Sequence, residues 1–282
     1  MDIYLSTGGF QKQKPSEIAN IFLKKRINNI ELSGGKYEKS YFKKIIIIGK
    51  TSNLMIHNYF PYYKNPFVFN LASQDIKIID KSLKMAIAAI NINHKLKNKF
   101  YAFHAGFLFD PKVKMLGDKP VPLIINNRQK AIKTFLKNVR KLFNYAKKKK
   151  INLLIENNVV SENQFKKYKY KPLMCDIKES LYIMKHTPNN VNLLLDFGHL
   201  KVSSKSLSFS SKEYLIKLKK YILAYHLSDN DSKSDQNLSF NTKSWFWKYI
   251  KKDAKYCSIE VYAKNILKLK KLIQTVNNIV NK

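Results

Sequence analysis

The stretch Asn192-Leu193-Leu194-Leu195-Asp196-Phe197-Gly198-His199 is a short apolar run that stops on two ionisable residues three positions apart. An unbroken apolar run of this length suits a strand buried on both faces, as in a parallel sheet. The same design recurs along the whole chain. Strand candidates fall at 3–7, 29–33, 53–58, 100–105, 152–157, 192–197, 223–228 and 257–261. Between them run amphipathic, helix-sized segments. Pro15-Ser16-Glu17 opens one, with Ile18, Ile21, Phe22 and Lys25 following at helical spacing. Longer ones, at 74–97 and 129–150, set Lys on one face against Ile, Leu, Phe and Ala on the other. The Lys run 147–150 reads as a solvated helix end, where cations suit the helix dipole. Further helical patterns lie at 210–220, 243–251 and 263–281.

Eight strands, each followed by a helix-sized segment, predict an α/β chain folded as one (β/α)8 TIM barrel over 1–282, with its active site at the C-terminal face. An open doubly wound sheet would carry a G-x-G-x-x-G turn after its first strand, and none is present. Gly8-Gly9 and Gly34-Gly35 read instead as tight βα turns. Residues 106–127, with Pro111, Gly117, Pro120 and Pro122, read as a long βα loop and a candidate lid; 158–176 reads as a second loop.

Composition narrows the class. With 45% apolar residues the chain can bury a full core, which excludes wholesale disorder. Cys175 and Cys257 lie far apart in sequence, which fits neither a disulfide framework nor a zinc ribbon and points to a reducing, cytoplasmic compartment. No apolar run is long enough to span a membrane, and the strand-like Asp2-Ile3-Tyr4-Leu5-Ser6 start argues against a signal peptide. The net charge of +34 invites a nucleic-acid partner, yet only three of the 53 basic residues are Arg. Readers of phosphates and bases lean on the Arg fork, so compositional drift toward Lys, Asn and Ile is the simpler account. The summed field would still favour anionic substrates such as a sugar phosphate.

The scarce ionisable groups gather at strand ends. His57, His104, His199 and His226 fall at or just beyond the C-terminal ends of predicted strands, as do Glu31, Glu156, Asp196, Asp229 and Glu260. In a barrel those ends converge on one face. Burying so many such groups without partners costs several kcal/mol each, roughly, and a divalent cation would hold them. Glu156, Asp196, His226 and Glu260, one from each of strands five to eight, form a mixed oxygen and nitrogen donor set. That set suits Mn2+, Mg2+, Co2+ or Zn2+. The aromatics read mainly as packing: Tyr59, Phe60, Tyr62 and Tyr63 after His57, Phe103, Phe107 and Phe109 around His104, and Trp245 and Trp247 in the core. One or two of them would wall a pocket. The alternation Tyr168-Lys169-Tyr170-Lys171 reads as an exposed loop or short edge strand.

The order Glu156, Asp196 with His199, His226 and Glu260 resembles the xylose isomerase-like TIM-barrel superfamily, which holds sugar and sugar-phosphate isomerases and epimerases and AP endonucleases (AP endonuclease family 2). The resemblance spans essentially the whole chain. It includes Glu31-Leu32-Ser33-Gly34-Gly35, His57-Asn58-Tyr59-Phe60-Pro61 and Phe103-His104-Ala105-Gly106. It implies a metal held by Glu156, Asp196, His226 and Glu260, and proton transfer by Glu156 and Glu260 through a metal-stabilised enediolate. It also implies a substrate contact at His199 and, more loosely, at Glu31 and Glu162. His57, His104 and His199 would bind a second metal or the substrate.

The implied partner is a sugar or sugar phosphate. Self-association is expected, as in many barrels of this type. The endonuclease branch, acting on DNA as a metal-dependent phosphodiesterase, is the alternative. There His57, His104 and Glu156 match the ligands of a further zinc. A third zinc would need an Asp-x-His pair where this chain has Asp235-Gln236-Asn237.

Overall fold

The computed structural model describes residues 1–116, 122 and 125–281. Gly117 and Pro120 of the candidate lid lie outside the described residues. Eight strands form one parallel sheet: β1 (Asp2–Ser6), β2 (Asn29–Leu32), β3 (Asn53–Ile56), β4 (Phe100–His104), β5 (Asn152–Glu156), β6 (Asn192–Asp196), β7 (Ile222–Leu227) and β8 (Tyr256–Ile259). The order is β3-β2-β1-β8-β7-β6-β5-β4. A single parallel bridge, His57 to Ala102, joins the two ends and nearly closes the sheet into a (β/α)8 barrel. No helix among the described residues is long and apolar enough to cross a membrane.

Period-two alternation divides each strand into two faces. Outward residues such as Leu153, Ile155, Leu193 and Leu195 join the large core between strands and helices. Inward residues Tyr4, Met55, Ala102, Leu154, Leu194, Ala224 and Tyr256 form a separate plug that fills the barrel. The next inward position along the same strands is Ser6, His57, His104, Glu156, Asp196, His226 and Ser258. One pleat above an apolar layer, therefore, the barrel mouth becomes a ring of polar and ionisable side chains.

The helices are α1 (Pro15–Lys24), α2 (Tyr41–Ile48), α3 (Ile76–Lys95), α4 (Arg128–Lys148), α5 (Glu162–Tyr168), α6 (Ile177–His186), α7 (Phe197–Ser206), α8 (Ser211–Leu218) and α9 (Ile266–Val280). A side-chain oxygen caps the N-terminus of each helix from α3 to α9, which satisfies backbone donors left open there.

Four expectations need correction. Residues 158–176 are not all loop, because Ser161 caps α5 within them. The 243–251 pattern is no helix; it holds only a 3-10 turn at Trp247–Tyr249. Local bonds divert that backbone: Asn241 Oδ1 accepts from Lys243 N, and Trp247 Nε1 donates to the Asn241 carbonyl. Nor is Tyr170 an exposed loop residue; it is buried. Phe197 opens α7 instead of ending β6, and its ring stacks on Tyr225 at 5.2 Å and on Phe246 at 5.0 Å. Cys175 and Cys257 are free and buried.

Candidate metal centre

Strand register sets neighbouring donors side by side. His104 pairs with Glu156 across β4 and β5, and Asp196 pairs with His226 across β6 and β7. Glu260 follows β8 directly, held by its backbone N–H on the Leu227 carbonyl at 3.1 Å. Ligand-type atoms of Glu156, Asp196, His226 and Glu260 all lie within 4.8 Å of one another, and all four residues are buried. His226 Nδ1 is the hub, 2.9 Å from Glu260 Oε2, 3.2 Å from Glu156 Oε1 and 3.7 Å from Asp196 Oδ2. Yet Glu156 Oε1 and Oε2, Asp196 Oδ2 and His226 Nδ1 are buried without a properly directed hydrogen bond. Buried polar atoms are nearly always satisfied, so converging orphans of this kind fit a shared cation. Two or three carboxylates with one imidazole match the chemistry of Mn2+, Mg2+, Co2+ or Zn2+.

A supporting shell aims these groups. His226 Nε2 faces Glu31 at 3.2 Å, and Ser258 Oγ donates to Glu31 at 3.0 Å. A carboxylate on the far ring nitrogen fixes the imidazole's orientation toward a metal. Asp196 divides its work: Oδ1 accepts from His199 N at 2.7 Å as the cap of α7, and Oδ2 is left to the cluster. His199 Nδ1 donates to the Asn157 carbonyl at 2.8 Å, and its Nε2 lies 3.3 Å from Asp235 Oδ2. Gly8 leaves room for Glu260: a Cβ there would stand 2.7 Å from Glu260 Oε1. Gly8→Ala should therefore displace that carboxylate and weaken cation binding about tenfold. Calorimetric titration with Mn2+ checks this, and unchanged affinity would remove Glu260 from the ligand set.

Burial governs the electrostatics. It raises the Asp196 carboxyl to about 7, with the charges of Glu156 and Asp235 adding to the effect. Burial alone would pull the His226 imidazole down, but Glu31, Glu156 and Glu260 hold it well above its ordinary range. Glu156 runs the other way: His104, His226 and His57 outweigh its burial and keep it well below the usual carboxylate range. Burial lowers His104 to about 4, so this ring is neutral and able to ligate.

His57 Nε2 and His104 Nδ1 stand 3.2 and 3.3 Å from Glu156 Oε2, a second group of ligand-type atoms within reach of one ion. His104 and His199 also line a cavity of about 550 Å3 above the cluster, together with Tyr59, Tyr62, Asn158, Asp235 and Tyr262. The structure thus brings together seven of the residues singled out in sequence: Glu156, Asp196, His226, Glu260, His57, His104 and His199. Glu31 is an eighth, fully buried against His226 and forming a further group of ligand-type atoms with His57 and His226. Glu162 stands apart on α5, its side chain 44% exposed and paired with Lys166. Asp235 joins the site beside His199, a placement that only the folded β7–β8 connection reveals.

Fold and donor cluster together define a class, the parallel barrels that gather their chemistry at the C-terminal mouth. The chain belongs to the xylose isomerase-like TIM-barrel family, whose profile matches residues 9–274. No curated protein matches it in sequence. Among solved structures it is similar to a D-tagatose 3-epimerase-like protein, at 17% identity and a TM-score of 0.72, covering 100% of this chain and 98% of that one. A D-psicose 3-epimerase determined in the presence of D-fructose superposes with a TM-score of 0.68 at 13% identity, covering 100% of both chains. A Thermus thermophilus protein soaked with zinc chloride gives 0.63 at 16% identity, covering 99% of this chain and 98% of that one. At these identities the likeness speaks to the fold.

Proposed function

We propose that the chain is a divalent-metal-dependent isomerase or epimerase acting on a sugar-like hydroxyketone or hydroxyaldehyde. The observation that carries this reading is the set of orphaned polar atoms on Glu156, Asp196 and His226, converging with Glu260 beside a cavity that His104 and His199 line. Family membership and the sugar 3-epimerases among the similar structures agree with it. A divalent cation held by these four residues would polarise the substrate oxygens and stabilise charge that develops as the carbon acid ionises.

The chain's own groups do the rest. Glu156 and Glu260 each present a carboxylate at the cluster. One oxygen takes the proton α to the carbonyl, and the other carboxylate returns it on the same or the neighbouring carbon. His199, with Nδ1 committed to the Asn157 carbonyl, turns Nε2 toward the cavity beside Asp235, where it can orient a hydroxyl. Tyr59, Tyr62 and Phe107 wall the cavity and keep bulk water from the carbanion.

The test is deuterium uptake. Protein loaded with Mn2+ in D2O should exchange the α-hydrogen of a ketose, read by NMR. Absence of exchange across free and phosphorylated ketoses, hydroxyaldehydes included, would overturn the reading. Metal uptake carries its own pH signature. Asp196 holds its proton up to about pH 7, so a cation must expel that proton to bind. Affinity for Mn2+ should fall as pH drops from 8 to 6, and a flat calorimetric profile would exclude Asp196 as a ligand.

A second reading rests on His57, His104 and Glu156, which offer a second cation a place. A two-metal phosphodiesterase acting on DNA would use them. It requires two or more zinc ions per chain and steeply salt-dependent binding of duplex DNA carrying an abasic site. Metal analysis showing one ion per chain separates the readings.

A further inference from the structure

The cavity over the donor cluster is unlike the rest of this chain. Lysine and arginine make up 53 of 282 residues, yet among the described residues lining the cavity there is neither. Its charged group is a carboxylate, Asp235, and two rings that line it, His104 and His199, back onto Glu156 at 3.3 and 3.6 Å. Two helix N-termini near the mouth, a common kind of phosphate seat, each carry a capping side chain. Ser161 Oγ occupies the start of α5 by accepting from Gln164 N at 3.1 Å, and Asp196 Oδ1 occupies the start of α7 by accepting from His199 N at 2.7 Å. Two aromatic pairs stand in the wall. Phe109 meets Tyr170 edge to face at 5.2 Å, and Tyr63 meets Phe67 in the same way at 5.5 Å. Met115 and Leu116 extend this apolar surface.

The wall is built and held. Arg128, one of only three arginines, bonds Glu179 at 2.6 Å and the Lys171 carbonyl at 2.5 Å. Glu179 in turn accepts from Met174 N at 2.9 Å. These contacts fix the segment that carries Tyr170, which is 3% exposed. At about 550 Å3 the cavity is of the size that encloses drug-sized ligands, larger than a bare hexose fills.

We infer that the substrate of this site is an uncharged sugar-like molecule carrying an apolar, aryl-type substituent. The polar end meets His104, His199 and the cation site, and the substituent lies among Phe109, Tyr170, Tyr63 and Phe67. The inference rests on the hydroxyketone chemistry proposed above.

The experiment compares D-fructose, 6-O-benzyl-D-fructose and D-fructose 6-phosphate by calorimetric titration into the full chain in excess MnCl2. The benzyl ether should bind about tenfold tighter than the parent ketose, and the phosphate about tenfold weaker. Phe109→Ala should shrink the ratio of benzyl ether to parent affinity back toward one. Phosphate binding as tight as the parent, or no gain from the benzyl group, overturns the inference and leaves the isomerase reading standing. Failure of all three to bind, with Mn2+ still taken up, overturns the inference, and the deuterium-uptake test then decides the isomerase reading.

Discussion

Glu260→Gln is expected to lower the rate of proton transfer by about 10²–10⁴-fold, the usual contribution of a positioned acid or base. The substitution keeps the shape of the side chain and one oxygen donor, so the backbone bond to Leu227 and the packing against Gly8 persist. What it removes is the capacity to carry a proton. Turnover should be measured as solvent deuterium exchange at saturating Mn2+, so that weaker metal binding does not enter. Because Glu260 is buried beside His226, the unfolding temperature is recorded alongside, so that lost chemistry is separated from lost fold. Exchange at the parental rate would show that Glu260 holds no proton in the reaction.

The largest loss of stability is expected from His226→Ala. This imidazole is fully buried and stands between Glu31 on one ring nitrogen and Glu156, Asp196 and Glu260 on the other. Removing one partner of a buried ion pair strands the others without compensation, at about 3–5 kcal/mol. For a chain of this size that corresponds to a fall on the order of 10 °C in unfolding temperature. Cation binding should be lost with it. Glu31, held below the usual carboxylate range by His226 and His57 against its own burial, would then shift upward. The unfolding midpoint in denaturant is the measurement, made with and without Mn2+. A midpoint unchanged in both conditions would mean that His226 is not the hub of the cluster.

Much of this arrangement is legible before folding because one physical rule governs both fold and site. A strand buried on two faces must be apolar until it reaches the barrel mouth, and only there can it end on an ionisable group. Leu195-Asp196 and Tyr225-His226 show the change within a single pleat. The eight strands accordingly begin and end within two residues of their expected positions.

Local competition hides the rest. Four successive isoleucines, Ile45 to Ile48, look like a strand and are the end of α2, because β-branching is a weak veto once tertiary packing buries Ile45 and Ile48. The seven residues of α5 bury nothing and show no stripe to read. In the site, period two points Glu31 inward, but only strand register shows that it meets His226 instead of the cavity. Asp235 reaches His199 through an irregular connection whose path no periodicity encodes. The absence of lysine among the described residues of the cavity wall is likewise a property of the folded surface, invisible in a composition dominated by that residue.

The ends of the sheet meet through one bridge only, where the Ala102 carbonyl accepts from Asn58 N at 2.9 Å. Every other junction around the cylinder is stitched by a longer ladder. This makes the β3–β4 junction the seam along which the cylinder parts first, and His57 and His104 sit on its two lips. His57 reaches across it to Glu156, and His104, on the Glu156 side, meets the same carboxylate oxygen. Whatever tightens that carboxylate's grip on the two rings also buttons the seam, so filling the mouth and stiffening the wall become one and the same event.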